Sequence, residues 1–161
     1  MTAVAPILEM PATVTIADLM SRRLVTIDPE APLSAARDIF LRHQFHHILV
    51  TEGPRLVGIM SDRDLLKALS PFIDTLTERT LDGDTLKRKV HTVMTRKVIT
   101  TPPEATVDAV SARIVKHGIS SLPVVAAHGE LVGIVTWKDI LRWMVHAAQG
   151  PAGLSLAPSR R

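Results

Sequence analysis

The chain has 161 residues, of which 46% are hydrophobic and 22% charged, fractions that are ordinary for a globular protein with a buried core. It has no cysteine, which excludes disulfides and thiolate metal sites, and its net charge of +3 with only 3% aromatic residues argues against a nucleic-acid partner. No apolar run approaches the roughly 18 residues of a membrane span, and residues 1–11 lack the pattern of a secretory signal, so we expect a cytoplasmic protein without a membrane partner.

The first half of the chain predicts one β-α-β-β-α unit that is preceded by a helical turn. Its amphipathic helix opens at Pro32 and places Leu33, Ala36 and Phe40 on one face. Glycine and proline in a later loop predict a tight turn between two strands. In chain order, the turn, strand, helix, two strands and last helix are predicted at residues 16–20, 24–27, 32–43, 47–51, 56–60 and 65–69.

The second half repeats this unit. Residues 56–64 (LVGIMSDRD) match residues 131–139 (LVGIVTWKD), and further matches run through the whole unit in register, which identifies an internal duplication. Thr106 is predicted to cap the second amphipathic helix and Gly118 to end it. The corresponding elements are predicted at residues 90–94, 98–100, 106–118, 122–126, 131–135 and 139–147.

The duplication divides the chain into two units joined by a connecting segment. Neither copy alone is expected to bury the apolar face of its long helix, so the two copies should pack together. The end of the chain is rich in Pro, Gly, Ser and Ala and predicts a disordered tail. The predicted parts are an N-terminal extension at 1–13, a first unit at 14–70, a connecting segment at 71–88, a second unit at 89–147 and the tail at 148–161.

The two copies resemble a pair of CBS domains, an arrangement often called a Bateman module. The resemblance covers roughly residues 14–147 and rests on three motifs. These are Gly58-Ile-Met-Ser-x-x-Asp64, Gly133-Ile-Val-Thr-x-x-Asp139 and His117-Gly-Ile-Ser-Ser-Leu-Pro-Val124. The first copy departs from the third motif, with Gln44, His46, His47 and Leu49 where the second copy has Gly118, Ser120, Ser121 and Pro123.

The resemblance implies an α/β (α+β) fold of two pseudo-symmetric repeats packed as one module. It implies an adenosine-containing ligand, which can be AMP, ADP, ATP or S-adenosylmethionine. It also implies a regulatory role without catalysis, and often a homodimer. The chain carries no recognisable effector domain, so we expect the signal to pass to a separate partner protein.

The two matching motifs end where a strand gives way to a helix, and this position suits a nucleotide. A helix N-terminus offers backbone amides to phosphate, so the hydroxyls of Ser61 and Thr136 are predicted to bind phosphate. Asp64 and Asp139 have acceptor oxygens that suit the two ribose hydroxyls, and we expect each in a separate pocket. Arg63 and Lys138 are further phosphate candidates. The same spacing is typical of a helix capping box, and the two roles can coexist.

Adenine requires an apolar slot with a few backbone hydrogen bonds. For each candidate the alternative is a place in the ordinary hydrophobic core. The predicted adenine-binding residues are Thr26, Phe45, Ile48, Thr100, Ile119, Leu122 and Pro123.

Three other interpretations compete with a nucleotide sensor. A ligand-free dimerisation or interaction module would keep its pockets empty, with the apolar last helix and Trp143 on its dimer face. A metal sensor would use His43, His46 and His47, although no third ligand of fixed spacing accompanies them. An enzyme is not predicted, since there is neither a recognisable Ser-His-Asp context nor a Walker-type glycine loop.

Overall fold

The computed structural model describes residues 14–43, 45–69 and 85–148. The predicted N-terminal extension, most of the connecting segment and nearly all of the tail lie outside these residues. The described residues form two halves, each with its own sheet and hydrophobic core.

The first half contains a mixed three-stranded sheet covered by two helices. The strand order is β1-β2-β3, with β1 parallel to β2 and β2 antiparallel to β3. Helix α2 begins after Pro32, as predicted, because proline lacks the amide that a first helical turn leaves unbonded. The elements are α1 (Ile16–Leu19), β1 (Thr26–Ile27), α2 (Leu33–Arg42), β2 (His47–Glu52), β3 (Arg55–Ser61) and α3 (Asp62–Leu69).

The second half follows the same plan with one difference. Thr106 caps its long helix by accepting a hydrogen bond from the Ala109 amide, and Gly118 ends it in the left-handed conformation at φ 59°, as predicted. The predicted strand at 98–100 is reduced to a single parallel bridge at Thr101, because two prolines follow and prolines cannot donate to a sheet. The elements are a 3-10 turn (Val90–Thr92), α4 (Val107–His117), β4 (Ser121–Val125), β5 (Leu131–Thr136) and α5 (Trp137–Ala148).

The opening turn of each repeat packs into the half built by the other repeat. Ile16 and Met20 are buried in the core of the second half, together with residues of α4, β4 and β5. Val90 and Met94 are buried in the core of the first half. Backbone hydrogen bonds fix both turns, including a reciprocal pair between Ser21 and Ile134 and its counterpart between Ile59 and Thr95. Each half therefore contains residues from both repeats, so neither half is complete when its repeat stands alone.

The glycine of each matching motif makes room for this exchange. A Cβ at Gly58 would meet the sulfur of Met94, and a Cβ at Gly133 would meet the sulfur of Met20. Gly58 in β3 and Gly133 in β5 are both buried. Their role is thus to admit a methionine from the other repeat, a packing reason for the glycine in each motif.

Both last helices start directly after the motif strands. Helix α3 begins at Asp62 and α5 at Trp137, two to three residues earlier than the sequence predicts. Ser61 and Thr136 are consequently the residues that precede each helix. None of the helices described has the length and apolar content needed to cross a bilayer.

Candidate functional site

One open cleft lies between the two halves and is bordered by both strand-to-helix junctions. We call these junctions the first corner (residues 61–64) and the second corner (residues 136–139). The cleft has a volume of about 970 Å³, at the upper end of the range for small-molecule sites. Asp64 and Asp139 both line it. Both corners therefore border one continuous opening, and a separate ligand site at each corner stays a prediction.

A reciprocal capping box closes each corner. The amide and hydroxyl of Ser61 donate to Oδ2 of Asp64 at 2.9 and 2.6 Å, and the Asp64 amide donates back to the hydroxyl at 3.2 Å. Thr136 makes the same bonds to Oδ2 of Asp139 at 2.8 and 2.7 Å, with a return bond of 3.3 Å. The capping role that the sequence left open is confirmed. In each carboxylate Oδ1 lies outside the box.

The first corner uses all of its leading helix amides within the protein. The Asp62 amide donates to the carbonyl of His46 at 3.1 Å, and the Arg63 amide donates to Oδ1 of Asp62 at 2.8 Å. The third amide, that of Asp64, is taken by the capping box. Nδ1 of His46 lies 2.7 Å from Oδ2 of Asp62. Partial burial opposes ionisation of Asp62, but the bonds from His46 and the Arg63 amide outweigh it and lower the Asp62 pKa.

The second corner has an aromatic residue where the first has Asp62. Trp137 follows Thr136, is 44% exposed and lines the cleft. The Trp137 amide donates to the carbonyl of Ser120 at 3.2 Å, whereas the Lys138 amide donates to none of the described residues. Oδ1 of Asp139 accepts a hydrogen bond from the half-exposed Arg142 at 3.0 Å. This corner therefore keeps a helix amide, a lysine and an arginine beside the cleft.

A polar contact joins the two repeats across the cleft. Nε2 of His47 lies 3.3 Å from Oγ of Ser120, residues that belong to different repeats. Burial lowers the pKa of His47 and outweighs the nearby carboxylates of Asp62 and Asp64, which act in the opposite direction. His47 is thus held neutral at physiological pH, in the form that can share a hydrogen bond with a hydroxyl.

The charges that line the cleft favour an anionic ligand. Five lining residues are cationic and three are acidic, apart from the histidines. The acids are those of the two corners, each already engaged in hydrogen bonds. The cations are Arg23, Arg63, Lys97, Lys138 and Arg142. This excess of positive charge would concentrate an anion at the cleft.

Comparison with known proteins identifies the family. The family model of the CBS domain matches residues 16–71 and 90–146. The chain belongs to the CBS domain family. The match places one CBS domain on each repeat, in agreement with the resemblance seen in the motifs.

Two solved CBS pairs are similar to this one. The CBS domain pair of protein MJ0100, crystallised with 5′-methylthioadenosine and S-adenosyl-L-methionine, is 30% identical, with a TM-score of 0.68 over 83% of this chain and 98% of that one. The CBS-pair protein CBSX2 from Arabidopsis thaliana, 24% identical, gives a TM-score of 0.73 over 86% of this chain and 99% of that one, a likeness of fold. Two CBS repeats packed as one α/β module are therefore the architecture of this chain.

The curated relatives include enzymes in which only one part of the chain is similar to this CBS pair. An L-aspartate semialdehyde sulfurtransferase of Methanocaldococcus jannaschii is 32% identical over 126 residues, which cover 78% of this chain and 22% of that enzyme. The chain spans 24% and 28% of two further curated relatives, a homoserine O-acetyltransferase and an inosine-5′-monophosphate dehydrogenase.

The CBS pair brings most of the predicted polar residues to the cleft. All of the predicted ribose and phosphate residues line it, as do three of the predicted adenine residues, Phe45, Ile119 and Pro123. The polar group consists of Ser61, Arg63, Asp64, Thr136, Lys138 and Asp139. Their contact with a ligand stays a prediction.

Four predicted adenine residues lie elsewhere. Ile48 and Leu122 are fully buried in the two cores, and this corrects their assignment to the cleft. Side chains alternate along a strand, so their neighbours Leu49 and Pro123 face the cleft instead. Thr26 and Thr100 are not among the lining residues, because the same alternation turns Val25 and Ile99 towards the cleft.

Several cleft residues escaped the sequence analysis. Trp137 and Asp62 lie inside the matching motifs, at equivalent positions that differ between the two copies. This mismatch is the sequence signal that could have identified them as cleft residues. Arg23 and Lys97 also match between the copies and line the cleft. Both residues are exposed and lie outside helices and strands, so no periodic sequence pattern indicates that they face the cleft.

The three histidines of the metal hypothesis have other contacts. His43 stacks on Phe45 with ring centroids 4.9 Å apart. His46 pairs with Asp62 and His47 contacts Ser120. Within residues 14–43, 45–69 and 85–148, no group of three or more potential ligands is arranged to hold a metal ion.

Proposed function

We propose that this CBS pair is a regulatory module that binds an adenine nucleotide in the cleft between its repeats. The observation that carries the proposal is the cleft of about 970 Å³, bordered by two hydroxyl–carboxylate corners and an excess of cations. The bound 5′-methylthioadenosine and S-adenosyl-L-methionine of the MJ0100 pair support an adenosine-containing ligand. The positive charge of the cleft favours a phosphorylated ligand, such as AMP, ADP or ATP, over an uncharged nucleoside.

The second corner offers a seat for both the sugar and the phosphate. Oδ1 of Asp139 lies outside the capping box and is held by the half-exposed Arg142, which a ribose hydroxyl could replace as donor. The Lys138 amide at the start of α5, with the lysine and arginine side chains, would receive the phosphate. Ile119, Pro123 and Trp137 supply apolar surface for the base.

The regulatory part of the proposal follows from the position of the ligand. A molecule between the corners would contact both repeats and alter their packing, which a separate partner protein could read. Exposed apolar residues on the last helix give a surface for a homodimer, as the sequence suggested. These are Leu141, Met144 and Val145, whereas Trp143 packs against the core of the second half. We propose a role in the cytoplasm without catalysis by the CBS pair itself.

A thermal-shift panel tests the proposal. AMP, ADP, ATP, S-adenosylmethionine and NAD are compared at one concentration with the unliganded protein. At a concentration of about 100 times Kd, a ligand raises the free energy of unfolding by about 2.7 kcal/mol. We expect Asp139→Ala to abolish most of the shift, because it removes the proposed ribose acceptor.

Asp18→Ala is the matched control for the loss of a capping box. Asp18 accepts from the amide and hydroxyl of Thr15 at 2.9 and 3.1 Å, as Asp139 does from Thr136, but it is exposed and is not among the residues that line the cleft. This variant should keep the ligand response of the parent. A panel in which no nucleotide shifts the parent would instead favour a ligand-free interaction module. An Asp139→Ala response equal to that of the parent would remove the ribose role.

A further inference from the structure

The two corners share one capping geometry but differ in the groups that they present to the cleft. Both are closed by the same capping box, with bond lengths that agree within about 0.1 Å. The second residue of each corner differs, being Asp62 in the first and Trp137 in the second. At the first corner the residue in this position takes up the amide that follows it, whereas the Lys138 amide at the second corner donates to none of the described residues.

At the first corner Asp62 removes the donors that a phosphate would use. Its Oδ1 accepts the Arg63 amide at 2.8 Å, and its Oδ2 lies 2.7 Å from Nδ1 of His46. The remaining leading amides donate to the His46 carbonyl and to the Ser61 hydroxyl. A phosphate at this corner would find no leading amide available and would have to displace a carboxylate that already fills the same position.

Charge acts in the same direction as geometry. Asp62 and Asp64 place two carboxylates at the first corner, faced by the exposed Arg63 and by His47, which burial keeps neutral. The second corner has one carboxylate, with Lys138 and Arg142 beside it. Like charges in a partly desolvated cleft disfavour binding strongly.

We propose that Asp62 is a specificity-determining residue that excludes phosphate from the first corner, so that the cleft holds one phosphate-bearing nucleotide per chain, at the second corner. This inference rests on the proposed function, since it assigns the ligand of that cleft to one of its two ends. The first corner is then left for parts of a ligand that carry no phosphate.

Isothermal titration with AMP tests the stoichiometry. The parent should bind one AMP per chain, and Asp62→Ala should bind two, with first-corner affinity at least about tenfold higher than in the parent, as expected when a like charge is removed. Asp62→Asn keeps the side-chain volume and the acceptor for the Arg63 amide but removes the charge. Asp62→Asn should bind the second AMP more weakly than Asp62→Ala does. The difference between the two variants separates the effect of the blocked amide from the effect of the charge. Asp62→Asn also guards against misfolding of the alanine variant.

Two further variants assign each AMP to its corner. Asp108→Ala removes an exposed acid from the first turn of α4, outside the cleft, and should bind one AMP like the parent. Asp62→Ala combined with Asp139→Ala should keep only the first-corner AMP.

The outcomes separate this inference from the proposed function. Two AMP per chain in the parent, or a single AMP in both Asp62 variants, would overturn the exclusion role while the nucleotide cleft stands. Absence of AMP binding in the parent and in every variant would overturn the proposed function for AMP, and the exclusion role with it.

Discussion

The two halves of the molecule agree in their scaffold and differ in their cleft. Each has a buried motif glycine seated on a methionine of the other repeat, and each has a capping box at its corner. Three pairs of equivalent residues that line the cleft have diverged, with His47 against Ser121, Leu49 against Pro123 and Asp62 against Trp137. Positions that hold the two repeats together have thus kept their chemistry. Among the cleft positions, the pairs Ser61/Thr136, Arg63/Lys138 and Asp64/Asp139 have kept it as well, whereas their neighbours have changed.

Packing alone is sufficient to explain why both repeats keep the scaffold residues. The exchanged turns make each half depend on the other repeat, so packing requires both copies to keep the same glycine and methionine. A single ligand requires only one corner that can bind it, so the residues of the other corner are free to differ.

The largest expected effect comes from breaking the exchange of turns. Ile16 is fully buried in the second half although it belongs to the first repeat. We expect Ile16→Ala to lower the free energy of unfolding by about 2–5 kcal/mol, through lost apolar burial and the cavity left behind. Urea denaturation measures the total loss. Native-state hydrogen exchange should locate the loss of protection in β4 and β5 before β2.

Leu41→Ala serves as the control for this prediction. Leu41 lies on α2 and is 77% exposed, so its truncation should change stability by less than about 0.5 kcal/mol. Loss of protection in the first half instead of the second, after Ile16→Ala, would contradict the exchange.

A smaller effect tests whether the two corners are equal as helix caps. Ser61→Ala and Thr136→Ala each remove a hydroxyl that bonds both the carboxylate and an amide of its corner. Each should cost about 1 kcal/mol of stability, the usual value of an N-cap. Chemical denaturation of both variants measures the costs, with Ser111→Ala on the interior of α4 as a comparison.

The two variants should differ in their affinity for a nucleotide. We expect Thr136→Ala to reduce nucleotide binding and Ser61→Ala to leave it nearly unchanged. Equal losses of binding would mean that both corners hold phosphate, and unequal caps would mean that the scaffold is less symmetric than its hydrogen bonds indicate.

The sequence was sufficient for the repeated architecture because local signals agree with it. Pro32, Thr106 and Gly118 act at the helix ends where they were predicted, and the strand pairs lie within one or two residues of their predicted bounds. The six polar corner residues also lie together, since duplicated motifs occupy equivalent places in a duplicated fold.

The remaining errors concern long-range packing, which no local pattern encodes. Periodicity alone cannot show that the turn at 16–20 completes the other half, because it indicates which face of an element is buried but not which core receives that face. Ile48 and Leu122 were assigned to the cleft without knowledge of which strand face meets the helices. Asp62 was passed over because its effect depends on amides and a histidine that only the fold brings near it.

The smallest expected effect is a pH dependence that belongs to the first half. Burial lowers the pKa of His47 below its ordinary value of 6.5, whereas its counterpart Ser121 does not titrate. The unfolded chain therefore binds a proton at this residue more readily than the folded chain, and stability present above pH 6.5 is lost as the pH falls through the folded pKa.

Thermal denaturation between about pH 7.5 and 5.5 measures this loss, in a range above that in which the lowered pKa of Asp62 contributes. His47→Gln, which cannot titrate but can still bond Ser120, should lose less stability than the parent over that range. His128→Gln, a matched change at an exposed position in the β4–β5 loop, should follow the parent. If His47→Gln loses as much stability as the parent, titration of His47 is not the source of the pH dependence, and the contact between the repeats is then insensitive to protons.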